Sequence, residues 1–392
     1  MTALSAESLI TGPFVRVWLG TFAGFASFGF VLLTLPLYVH DELDRGSVAI
    51  GIAVGSASIT AVLGGPRAGR LADRRGRRPL ILGGTAVMIG CYLLLALGPS
   101  LPFVVLIRLV AGAGEAAFAI AILTAAADLA PAERRGEAMS LVTTASYLGL
   151  TVGPVAADFI LGDDRFALNW VVAASLVVLG TVAVIPLGET RPASAHEAPG
   201  GWLPPRTALL PGLLVLLALL GFGGFVAFSA LYARDDLGFD RPGLIFALFG
   251  SVVVLVRTFG RKLPDRLGGR RTLVLCFVNL AIGLATIGVW QSGAGLIVGT
   301  AIFAVGQALS YPAAVLLAME TSSDAERSAV VGGVTAFVDV ALSLGAFTLG
   351  AVAAVTGYAG AFLVASIVAL GGVLVVAPRR RSERIALEEG TP

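Results

Sequence analysis

Apolar residues run together in twelve long stretches separated by short polar segments. The first six cover residues 15–39, 48–68, 79–97, 101–127, 139–161 and 166–187. The second six cover 209–232, 243–260, 272–290, 296–319, 329–355 and 360–377. A helix crossing the hydrocarbon of a bilayer needs about 20 apolar residues. The pattern therefore predicts an all-α membrane protein of twelve transmembrane helices in two pseudo-symmetric six-helix bundles. Between the sets, Pro192, Pro199, Gly200, Gly201, Pro204 and Pro205 mark a short flexible linker. The expected organisation is an N-terminal bundle at 1–187, a linker at 188–207, a C-terminal bundle at 208–378 and a tail at 379–392. The first stretch is too long for a signal-peptide core and would act as an uncleaved first span.

Composition narrows the function. Of 392 residues, 57% are hydrophobic and 13% charged, about half the charge of an ordinary soluble domain. Such a chain cannot cover a large soluble exterior, which excludes a cytosolic enzyme. A net charge of +2 excludes nucleic acid as a partner. Cys91 and Cys276 both lie in apolar runs, and His40 and His196 join no cluster, so neither a metal nor a cofactor is expected. No Gly-x-x-x-x-Gly-Lys-Ser/Thr loop occurs, and Lys262 is the only lysine, which argues against direct ATP drive. With a cytoplasmic amino terminus, 22 of the 27 cations fall in inner segments, Arg257 among them. The positive-inside rule then puts both termini in the cytoplasm.

The two halves repeat at a shift of 192 residues. Leu71, Asp73, Arg74, Gly76 and Arg78 return as Leu263, Asp265, Arg266, Gly268 and Arg270. The same shift pairs Glu115 with Gln307, Asp128 with Glu320, and Thr143, Tyr147 and Thr151 with Thr335, Asp339 and Ser343. Parallel repeats of this kind form a binding site between them near the midplane.

The segment Gly69-Arg-Leu-Ala-Asp73-Arg-Arg-Gly76-Arg77-Arg78 resembles the loop signature of the major facilitator superfamily. Arg108-Leu-Val-Ala-Gly112-Ala-Gly114 is similar to that superfamily's helix-four signature, with Ala111 in place of Gln. Gly149-Leu-Thr-Val-Gly153-Pro154 is similar to the helix-five pattern of its proton-coupled exporters, with Ser140, Ala157 and Asp158 where those carry glycines. The resemblance is to twelve-helix drug:proton antiporters and sugar-efflux relatives. It implies two bundles rocking around a central cavity. It also implies that Gly69, Asp73, Gly76 and Arg77, with Asp265 in the second copy, form a latch on the cytoplasmic side.

Charges within the spans are few, and each costs roughly 3 kcal/mol at the bilayer centre on insertion scales. Arg108 and Glu115 lie two turns apart on one face, about 10 Å along the axis, so a direct pair requires the full reach of the arginine or a bridging water. They read as a proton site or as a structural pair. Asp339, in the stripe Thr335, Asp339, Ser343, reads as a second titrating carboxylate or as an interhelical hydrogen bond. Asp158, with Asp163 and Asp164 beyond it, is expected to be solvated. Phe118, Tyr147, Gln307, Ser310 and Tyr311 could line a substrate cavity or serve packing. Gly69 permits close approach at a helix end, and Gly76 suits a left-handed turn. Gly149 and Gly153 allow close helix contact, and Pro154 removes a backbone donor.

The expected protein is not an enzyme. It is a multi-pass transporter of the bacterial plasma membrane, working as a monomer in the lipid bilayer. Its expected activity is proton-coupled efflux of small apolar or weakly cationic compounds. Uptake of a sugar or metabolite on the same fold is the alternative, and a receptor or scaffold without transport a further one.

Overall fold

The structure is a computed structural model. It describes residues 9–98, 100–131, 134–162, 165–191, 205–260, 262–320, 322 and 327–376. Asp163, Asp164, Arg261, most of the linker and the tail lie outside the described residues. Among the described residues all regular structure is helical. The first half holds α1 (Gly12–Asp41), α2 (Ser47–Arg75), α3 (Arg77–Leu95), α4 (Leu101–Asp128), α5 (Arg135–Leu161) and α6 (Phe166–Val184). The second half holds α7 (Arg206–Leu231, running on through a π turn at Tyr232–Asp236), α8 (Gly243–Phe259) and a short α9 (Leu263–Leu267). It closes with α10 (Gly269–Val289), α11 (Gly293–Glu320) and α12 (Arg327–Val376). Among the described residues ten helices are long and apolar enough to cross a membrane; α8 is apolar but shorter. In hydrocarbon, backbone groups must be satisfied within the segment, which is why near-continuous apolar sequence settles into helix.

Local signals set the ends. The Thr11 side chain caps α1 by accepting from the Phe14 amide at 3.4 Å, with Pro13 in the first turn. Residues expected as two helices, 329–355 and 360–377, form one helical run of 50 residues with a single break at Gly357 (φ 74°, ψ 175°). The arm before the break runs parallel to α7, its Phe337, Gly345 and Leu349 meeting Gly212, Leu220 and Gly224. The arm after it runs antiparallel to α10, with Leu363, Ser366 and Val376 meeting Gly288, Ala281 and Arg270 in turn.

Packing repeats between the halves. In the first half α1 lies along α5 and α6; in the second α7 lies along the two arms of α12. A Cβ at Gly153 would sit 2.3 Å from the Ala26 carbonyl oxygen, and one at its repeat mate Gly345 would sit 2.1 Å from that of Leu220. Buried Asn169 ties three helices together, donating to Thr34 Oγ1 and to the Ala157 carbonyl, both at 3.1 Å. Large apolar side chains such as Leu179, Ile367 and Leu374 cover the exterior, as a lipid-facing surface requires.

Candidate functional site

Glu115 sits midway along α4. Arg108 Nη1 donates to its Oε1 at 2.8 Å, and the hydroxyl of fully buried Tyr92 on α3 donates to the same oxygen at 3.0 Å. Of the two routes to a direct pair, the arginine's own reach is the one taken. The arginine lies along the helix axis and spans the two turns without a water. Its Nε is buried without a partner, and its Nη1 is the nitrogen that holds Glu115. The Arg108 side chain is 7% exposed and that of Glu115 20%, and nothing bonds Glu115 Oε2 among the described residues. Asp339 lies on α12 of the other half and is half-buried.

A second polar group lies across the halves. Arg257 of α8 stacks its guanidinium over the Tyr147 ring of α5 at 4.3 Å, and its Nε donates to the Ala308 carbonyl of α11 at 3.0 Å. The Tyr311 hydroxyl meets Thr335 Oγ1 at 2.7 Å. Gln307, one turn from Tyr311, keeps a buried Oε1 without a partner. Two of the expected cavity residues do not reach open space in this conformation. Phe118 is buried against Gly24 and Phe28, and Ser310 is buried with its hydroxyl donating to the Gln307 carbonyl at 3.1 Å. Within the polar stripes, Thr143 and Thr151 bond back to their own helix, whereas Ser343 donates to the Gly55 carbonyl of α2 at 2.9 Å.

The loop between α2 and α3 turns at Gly76, whose φ of 101° favours glycine. Arg77 reaches Asp128 at 2.8 Å and Asp73 at 3.3 Å. Glu189, at the start of the linker, accepts from the backbone amides of Arg77, Arg78, Thr190 and Arg191 at 2.8–3.3 Å. Burial alone would raise the Glu189 carboxyl; the four amides outweigh it and hold it below its ordinary range. Gly69 corrects the expectation of close approach: a Cβ there would meet nothing within 4 Å. In the second copy Gly268 repeats the turn (φ 80°), Glu320 meets the Gly269 amide at 3.3 Å, and Asp265 is exposed on α9.

At the opposite end the halves are joined. Arg234 grips Asp41 with two bonds of 2.6 and 2.7 Å, and Asp41 also meets His40 at 2.8 Å. Asp158 is not solvated, as expected, but buried: its Oδ2 accepts from the Gly243 amide at 3.3 Å and its carbonyl from Arg241 at 3.1 Å. Glycines let the helices touch here: a Cβ at Gly51 would lie 2.3 Å from the Ala346 carbonyl oxygen, and one at Gly250 2.0 Å from Thr151 Oγ1. On the inner side of α5, Gly149 and Gly153 face α1, and Pro154 packs on Gly29.

Sequence reasoning passed over Tyr92, Glu189, Asp41, Arg234 and, above all, Arg257, which it counted only as a topological cation. One signal was available: the repeat mate of Arg257 is Gly65, so the charge breaks the internal symmetry.

A family model described as Major Facilitator Superfamily matches residues 17–262 and 213–392. An uncharacterized MFS-type transporter of Salmonella typhimurium is 29% identical over 390 residues, covering 96% of this chain and 98% of the relative. Another, of Pseudomonas aeruginosa, is 29% identical over 396 residues, covering 97% and 96%. Among solved structures, the nucleoside transporter NupG superposes with a TM-score of 0.79 at 14% identity, covering 94% of this chain and all of NupG. That likeness is one of fold.

Proposed function

Because the chain belongs to the Major Facilitator Superfamily and is a membrane transporter of that type, we propose that it is a proton-coupled exporter of small molecules working by alternating access. Counting α8 as a span and α12 as two gives twelve, with both termini on the cytoplasmic side by the cation distribution. On that assignment the end joined by Asp41 and Arg234 is the outer one, and it is closed in this conformation.

The observation that carries proton coupling is the arrangement at Glu115. One carboxylate oxygen is fixed by Arg108 and Tyr92, the other has no bond among the described residues, and a second membrane carboxyl, Asp339, lies on α12 of the opposite half. Two negative charges in a low-dielectric setting repel, and binding one proton relieves the repulsion. Rocking the halves changes the distance between Glu115 and Asp339, so proton occupancy and conformation become linked. Asp73 and Arg77 pair within one half here and would exchange those bonds for the latch of the alternate state.

The test is transport by purified protein in proteoliposomes. Glu115→Gln keeps the shape of the site and removes its charge. It is expected to abolish substrate movement driven by a pH gradient while leaving exchange without a gradient in place. Undiminished gradient-driven transport by that variant would remove Glu115 from the mechanism. Proton release and substrate uptake in the same direction would replace export by symport.

A further inference from the structure

We infer that the corner formed by Arg257, Tyr147 and Tyr311 binds the carboxylate of a small organic anion with an aromatic or apolar body. This rests on the reading of the chain as a transporter and names the class of its substrate. It replaces the expected weakly cationic compounds.

An arginine in the last turn of a membrane-spanning helix whose guanidinium turns onto neighbouring helices, as that of Arg257 does onto Tyr147 and Ala308, gives up hydration and needs groups that compensate it. Arg108 is compensated by Glu115. Among the described residues no carboxylate pairs with Arg257. Its guanidinium has one ring face at 4.3 Å and one carbonyl at 3.0 Å, on Nε. The terminal nitrogens therefore keep donors for a further acceptor, and a planar fork of donors matches a carboxylate. The half-buried position keeps bulk water from screening the charge fully.

The neighbours are of the right kind. Tyr147 sits beneath the guanidinium and carries a hydroxyl that can donate. The Thr335 hydroxyl is spent on the Val331 carbonyl at 2.8 Å, so the Tyr311 hydroxyl is the donor in their 2.7 Å contact and can turn its proton to an arriving carboxylate. A cation here would meet an uncompensated positive charge.

The body of the ligand is indicated by what adjoins the corner. Tyr147 and Phe249 pack on the same apolar patch of Val253, Ala304 and Ala308. Phe249 in turn stacks on Phe222 with ring centroids 5.2 Å apart. An acid group at Arg257 would thus leave its ring or chain against a wall of aromatic side chains from α7 and α8. The three helices and α5 that build the corner come from both halves, so an anion bound there feels their relative movement.

The test is equilibrium binding to full-length protein in lipid nanodiscs, measured by titration calorimetry without a pH gradient. The probes are cinnamate, cinnamyl alcohol and cinnamylamine, which share one body and differ in charge. Cinnamate is expected to bind more tightly than the other two. Arg257→Gln is expected to weaken it at least about tenfold, the scale of a lost charge-assisted bond, with Arg257→Lys in between. Should Arg257→Gln fail to fold, Tyr147→Phe, expected to weaken cinnamate several-fold, takes its place. Equal or tighter binding of the amine or alcohol overturns the inference, as does cinnamate affinity unchanged in Arg257→Gln or no cinnamate binding at millimolar concentration. These outcomes do not depend on proton coupling. Binding of cinnamate through Arg257 without proton movement would sink the proton reading alone, and gradient-driven transport of other compounds without cinnamate binding would sink the anion reading alone.

Discussion

Glu189 is a residue on the surface that organises a helix 112 positions before it, accepting from the Arg77 amide at 2.8 Å. Four amides converge on its carboxylate, and Gly76 leaves room for it, since a Cβ at Gly76 would lie 2.1 Å from Glu189 Oε2. The positive end of α3 points the same way. Its carboxyl is held below its ordinary 4.5, so the stabilisation is present above that value and is lost as pH falls through the lowered one. The group is exposed, and the gain is correspondingly modest. Glu189→Gln should therefore speed hydrogen exchange at the start of α3 about fivefold at neutral pH, the effect of about 1 kcal/mol. Mass spectrometry should also find that protection in the natural protein declines in acid, while the variant changes little.

Pairs of elements carry the duplicated design. Gly153 on Ala26 and Gly345 on Leu220 meet backbone, which cannot yield as a flexible side chain can. Gly153→Ala and Gly345→Ala are each expected to destabilise by about 1–3 kcal/mol, as overpacking does. Gly83→Ala, with nothing within 4 Å, should be neutral or slightly stabilising in the same thermal-unfolding measurement in detergent. Much at this scale was legible in the sequence. The shift of 192 paired Gly76 with Gly268, and both turn with positive φ; it paired Asp128 with Glu320, and each holds the first residue of the helix before its own. Differences follow from single residues: α2 runs on to Arg75, whereas α8 stops at Gly260, and Pro264 falls in the first turn of a separate α9. What stayed hidden were contacts between distant helices. Nothing periodic marks Tyr147 as the partner of Arg257, and nothing in the neighbourhood of Asp158 announces its burial by Gly243. Axial rise left two routes from Arg108 to Glu115 open, because it measures backbone and not side chain, and the direct bond takes the longer reach.

The whole molecule is held in this conformation at one end. Arg234 and Asp41 belong to different halves, and their paired bonds of 2.6 and 2.7 Å are the strongest polar link described between them. Arg234→Ala should shift the balance toward the conformer open at that end, several-fold for a partly exposed pair of about 1 kcal/mol. Spin labels introduced by Arg45→Cys and Asp240→Cys would report it as a longer distance population; an unchanged distribution would assign the closure to the glycine contacts instead. Gly357 bears on the molecule differently. A helix of 50 residues extends about 75 Å, more than twice the hydrocarbon thickness. The reversal is accompanied by no charge and no proline between residues 340 and 376, and a methyl group at 357 would touch nothing. What the bend needs is an α-carbon indifferent to chirality. A mirror-image alanine could stand there without strain and an ordinary one could not, so the return of the last helical arm depends on the stereochemistry of one atom.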